Sequence, residues 1–162
     1  MTTLYTSPAP QLPASTTDVP DQVPKPKKVI KHSAGILAID KRTNSVLLLA
    51  SRKREGAWVL PKGLCMTEPQ PEAPESAACR IAWEASGIRG TISKKVGTFT
   101  EAGKRGKINA YNWMYEMQVD KLEDNWPNND RQRIWVSYED ALRATADRPI
   151  SLLALKHCSL AK

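Results

Sequence analysis

The chain is poor in several things that usually sort a protein early. It has three cysteines, one phenylalanine, and no apolar run near the roughly 20 residues needed to cross a bilayer. Cys65, Cys79 and Cys158 form no paired motif and no zinc spacing. An odd, scattered set argues against a disulfide framework and suits a reducing compartment, with the thiols as small packing residues. The start of the chain lacks the basic stretch and apolar core of a signal peptide and the arginines of a mitochondrial presequence. Cytoplasm or nucleus is the location expected, with no membrane association.

What is present is length for one domain and a basic surface. The 162 residues are 41% hydrophobic, enough for a core, and carry a net charge of +7. Residues 1–28 are rich in Pro, Ser and Thr and nearly free of large apolar side chains, so burial cannot offset their ordering entropy and a disordered tail is expected. The PKPKK run at 24–28 reads as a solvated linker or a weak nuclear-import signal. Three lysines against two aspartates leave the tail almost neutral, so the excess charge belongs to residues 29–162. A basic domain of this size favours polyanionic ligands.

Apolar and β-branched stretches predict strands at 29–39, 46–50 and 57–60, with turn chemistry at 40–44 and a basic loop at 51–56. Pro61-Lys62-Gly63 breaks the third strand and opens a proline-rich loop. Pro74 suits the first position of a helix, where its missing N–H costs nothing. Residues 75–86 avoid Gly and Pro, and Gly87 can take the left-handed conformation that ends a helix. Strands are expected at 90–99 and 108–119 around a hairpin loop, TEAGKRGK, and at 132–136. Ser137 is a candidate N-cap for a helix at 138–146, and 150–160 suits a last helix. Early strands with helices to cover them predict an α+β domain around a mixed sheet.

Gly63, Glu72, Arg80, Glu84, Gly87 and Ile88 fall in the order and spacing of the signature box of Nudix hydrolases, and the chain resembles that family over roughly residues 29–156. The loop between Gly63 and Glu72 is longer than the family's. The resemblance implies an α/β/α sandwich and hydrolysis of phosphoanhydride bonds. It implies Glu84, Arg80 and Glu72 as catalytic residues, and Mg²⁺ or Mn²⁺ held by Glu84 and the backbone at Gly63. Flanking segments are similar to the branch acting on diphosphoinositol and diadenosine polyphosphates. They offer Lys31, His32, Lys53, Arg54, Lys62, Lys104, Arg105, Lys107, Arg131 and Arg133 as substrate-binding residues. A monomer acting on a polyanionic small molecule is expected. No aromatic–basic platform supports a nucleic-acid partner.

Two positions depart from the box. The family has glutamates after the arginine and at the end of the helix; this chain has Ile81 and Ala85. Positions 81, 84 and 85 share one helical face, and oxygen ligands there would hold the cation. One carboxylate of three remains. Glu68, Glu75, Glu101 and Glu116 are the other carboxylates that could serve. The alternative to a weakened hydrolase is a Nudix-fold pseudoenzyme that binds polyphosphate ligands or a protein partner.

Overall fold

The computed structural model describes residues 30–161; the expectations for the tail and for the 24–28 run lie outside the described residues. Seven strands form one mixed sheet. They are β1 (Lys31–Asp40), β2 (Ser45–Ala50), β3 (Trp58–Val59), β4 (Lys62–Leu64), β5 (Ile88–Ala102), β6 (Ile108–Leu122) and β7 (Arg133–Ser137). The order is β3-β2-β1-β6-β5, with β4 on β1 and β7 on β2. The β1·β6 pair is parallel and the others are antiparallel. One helix, α1 (Pro74–Ser86), covers one face; α2 (Tyr138–Ala144) and α3 (Pro149–Lys156) cover the other. This is the α/β/α sandwich expected from the sequence.

Pleating divides β1 between the layers. Ala34, Ile36 and Ala38 point to α1, with Leu47, Leu49, Tyr115 and Met117. Leu37 and Ile39 point to α2 and α3, with Val46, Leu48 and Met114. A strand buried on both faces reads as an unbroken apolar run rather than an alternation, which is what ILAI shows.

Several strands run past their expected ends, while β3 is shorter than the expected 57–60. β5 starts directly after Gly87 and pairs with β6 for its whole length, taking up four register irregularities on the way. Lys62–Leu64, expected as a break, is a short strand whose residues face Gly35, Ala34 and Ser33 of β1. Both end helices are shorter than expected, since Thr145 and His157 already cap them. Among the described residues no helix is long and apolar enough to cross a membrane.

Candidate functional site

α1 forms where the sequence calls for it. Pro74 is in its first turn, and Gly87 closes it at φ 67° with its N–H on the Trp83 carbonyl at 2.9 Å. The loop before it is tied down by the box residues. Arg80 donates Nε and Nη2 to the two Glu72 oxygens, both at 2.9 Å, and Nη1 to Glu84 Oε1 at 3.0 Å. Its Nη2 also reaches the Leu64 carbonyl at 3.1 Å. Glu72 Oε1 accepts from the Met66 N–H as well. Arg80 is thus the clamp that holds loop and strand against the helix. Its hydrogen bonds hold the Glu72 carboxyl below the usual carboxylate range and push Arg80 itself up.

On the face of α1 expected to carry metal ligands, two of the three positions are turned into the core. Ile81 is 5% exposed and Ala85 9%, in one apolar cluster with Ala34, Ile36 and Tyr115. Gly63 lies against this face: a Cβ built on it would stand 3.3 Å from Ile81 Cδ1. Glu84 is the one carboxylate of the three positions, and Arg80 holds it. Among the described residues no group of three or more Asp, Glu, His or Cys side chains gathers to hold an ion. These residues do not fit a divalent cation of the kind the box implies. Glu116 does not repair the set. It lies on the strand face opposite Tyr115 and Met117, 2% exposed, and accepts from Ser159 N and Oγ at 2.8 and 2.7 Å.

Arg133 also differs from expectation. It donates to the Ser86 carbonyl at 2.6 Å and the Glu123 carbonyl at 2.8 Å, with its guanidinium 4.0 Å over the Trp126 ring. Trp126 Nε1 donates to the Ala85 carbonyl, Asn128 N to Glu84 and Glu123 N to Gly87. Four successive carbonyls at the end of α1 therefore find donors in the segment from Glu123 to Arg133, which meets the need of a helix C-terminus for partners. Arg133 is part of that cap.

A cavity of about 500 Å³ opens on the other face of the sheet, where α3 begins. Arg52, Lys53, Lys62, Arg131 and Arg148 line it, with the carboxylates Glu101 and Asp147. Lys62 reaches it because it pairs with Gly35 on the strand face that carries Leu37 and Ile39. Burial pushes the Lys62 ammonium below its ordinary value; Glu101 opposes that, and Arg148 and Lys53 add to it. Burial, then Arg52, lowers Arg131, whose Nε donates to the Ala50 carbonyl at 2.6 Å. The cavity thus gathers Lys53, Lys62 and Arg131 from the expected set. Arg54 stands outside it in an ion pair with Asp147 at 2.6 Å. Lys104, Arg105 and Lys107 are exposed at the β5–β6 hairpin, and Lys31 at the start of β1. His32 is on the α1 side, its ring 5.2 Å from that of Trp113. Neither Glu72, Arg80 nor Glu84 lines the cavity.

Arg52 and Arg148 were not among the expected site residues, and Glu101 was expected only as a substitute metal ligand. Arg148 had a signal, standing directly before the proline that opens α3. Arg52 sits in the same basic loop as Lys53 and Arg54, and which of the three line the cavity depends on a loop conformation that spacing does not reveal.

Fold and site together define a mixed-sheet sandwich with a basic pocket and a strand–loop–helix box. The comparisons give that class its family. The NUDIX domain model matches residues 30–155, and the chain belongs to the Nudix family. It is 30% identical over 121 residues to diphosphoinositol polyphosphate phosphohydrolase 3-alpha of Homo sapiens, covering 73% of this chain and 70% of that one. It is 27% identical over 116 residues to diphosphoinositol polyphosphate phosphohydrolase 2 of Rattus norvegicus, covering 70% and 61%. A NUDIX hydrolase from Nitrosomonas europaea shares the fold with a TM-score of 0.64 at 15% identity, over 78% of this chain and 86% of that one.

Proposed function

We propose that this chain binds a polyphosphorylated small molecule, of the diphosphoinositol polyphosphate or dinucleoside polyphosphate kind, in the basic pocket, without the helix-held metal of a Nudix hydrolase. The observation that carries this reading is the separation of two features. Five cations line the pocket, Arg52 among them paired with Asp130, while Ile81 and Ala85 are buried in the core where the box has metal ligands. Guanidinium and ammonium groups from several loops suit dense phosphate, because each supplies charge-assisted hydrogen bonds at fixed positions. The names of the relatives support the ligand class. Binding in EDTA that weakens in Lys62→Ala and in Arg148→Ala would support the reading; no binding by the wild-type chain would end it.

Hydrolysis is the second reading, and the exposure of Glu84 favours it. That side chain is 44% exposed, so a Mg²⁺ or Mn²⁺ carried in by the phosphates could reach it. The metal would then supply an activated water and charge neutralisation. Phosphate release that needs the metal and disappears in Glu84→Gln would establish it.

A further inference from the structure

The basic pocket contains one residue that works against its charge. Glu101 lines it together with Lys62 and Arg148. The other carboxylate, Asp147, is taken by Arg54. Glu101 makes no ion pair among the described residues; its Oε2 accepts from Asn112 Nδ2 at 2.9 Å. Asn112 is 1% exposed, and the same nitrogen donates to the Phe99 carbonyl at 3.2 Å. Those two bonds fix the amide, and the amide fixes the carboxylate. Asn112 Oδ1 is buried and meets no protein donor. Asn112 itself does not line the pocket, so the Glu101 carboxylate is the acceptor it holds there, among the cationic side chains of the lining.

A phosphate oxygen brought against a carboxylate is repelled, whereas an alcohol O–H donates to it in a charge-assisted bond. Resting on the polyphosphate reading above, we infer that Glu101 selects a partly phosphorylated polyol, with a free hydroxyl among its phosphates, over a fully phosphorylated ring or a linear polyphosphate. The cations supply affinity, and the one unpaired carboxylate supplies the discrimination. Glu101 is exposed, so its discrimination is electrostatic: a ligand hydroxyl donates to it and a phosphate in the same place is repelled.

The test is calorimetric titration of the full chain, in EDTA, with inositol pentakisphosphate, inositol hexakisphosphate and tripolyphosphate. The wild-type chain is expected to bind the pentakisphosphate at least as tightly as the more highly charged hexakisphosphate. Glu101→Gln keeps the shape and an acceptor for Asn112 while removing the charge. It is expected to shift the affinity ratio about tenfold toward the hexakisphosphate, the scale of one charge-assisted hydrogen bond, and to raise tripolyphosphate affinity. Glu101→Ala is expected to shift it the same way, with unchanged melting temperatures confirming both folds. Ligands bound by the wild type with a ratio unmoved in both variants would overturn this inference alone. No binding of any of the three would overturn the polyphosphate reading with it.

Discussion

Ile81 lies against Gly63, so close that a methyl group on the glycine would stand 3.3 Å from the isoleucine Cδ1. A helix face and a strand backbone that could have shared a cation share an apolar contact instead. That contact joins the core behind Tyr115 and Met117. Burying an isoleucine side chain is worth roughly 1.5–3 kcal/mol, so the exchange of carboxylate for alkyl group adds stability as it removes metal ligands.

Restoring the carboxylates is therefore expected to cost stability first. In EDTA, Ile81→Glu combined with Ala85→Glu should lower stability by roughly 2–4 kcal/mol, from charge placed in a packed apolar site. Mg²⁺ should return part of that loss in the double variant and leave the wild-type melting temperature unchanged, since an ion stabilises only a fold that binds it. Thermal unfolding with and without Mg²⁺ checks both halves.

Arg133→Ala and Trp126→Phe are expected to weaken the fold rather than the pocket. Each removes donors from the carbonyls that end α1, and charged hydrogen bonds of the Arg133 kind are worth about 1.5–3 kcal/mol. Denaturant unfolding should show the loss for Arg133→Ala and a smaller one for Trp126→Phe. Affinity for a polyphosphate should stay at the wild-type level in both variants.

Much of this was legible in the sequence, and the limits are physical. Pro74 and Gly87 fix both ends of α1 by backbone rules that hold whatever packs around them. The two-sided burial of β1 follows from its unbroken apolar run. The pocket was only half legible. Lys53, Lys62 and Arg131 line one cavity, but Arg133 is two residues from Arg131 and ends on the cap of α1. Charge alone does not separate a ligand-facing arginine from one that satisfies carbonyls. Lys104, Arg105 and Lys107 show the same limit, since a hairpin tip carries them clear of the cavity.

The Glu72–Arg80 clamp makes a pH prediction. Arg80 lowers the folded-state pKa of Glu72, so its contribution is present above the unfolded-state value and is lost as pH falls through the folded one. Wild-type stability should therefore decline on acidification below the ordinary carboxylate range, and Glu72→Gln should flatten that part of the profile. Melting curves between neutral and strongly acidic pH measure the slope.

In the pocket, Lys62→Ala and Arg148→Ala are each expected to weaken polyphosphate binding by about tenfold, the scale of one charge-assisted contact. Salt should weaken the wild-type interaction too, with exposed cations screened more than half-buried ones. Titrations at low and high ionic strength test this. Lys104→Ala should change affinity much less, because its side chain is outside the cavity lining.

The most direct test of the account is one paired measurement on the wild-type chain with a diphosphoinositol polyphosphate: affinity and phosphate release, each in Mg²⁺ and in EDTA. The expected result is the same affinity in both conditions and no release above background in either. Mg²⁺-dependent release that vanishes in Glu84→Gln would contradict it, and would mean that the single exposed carboxylate of α1 still serves a metal.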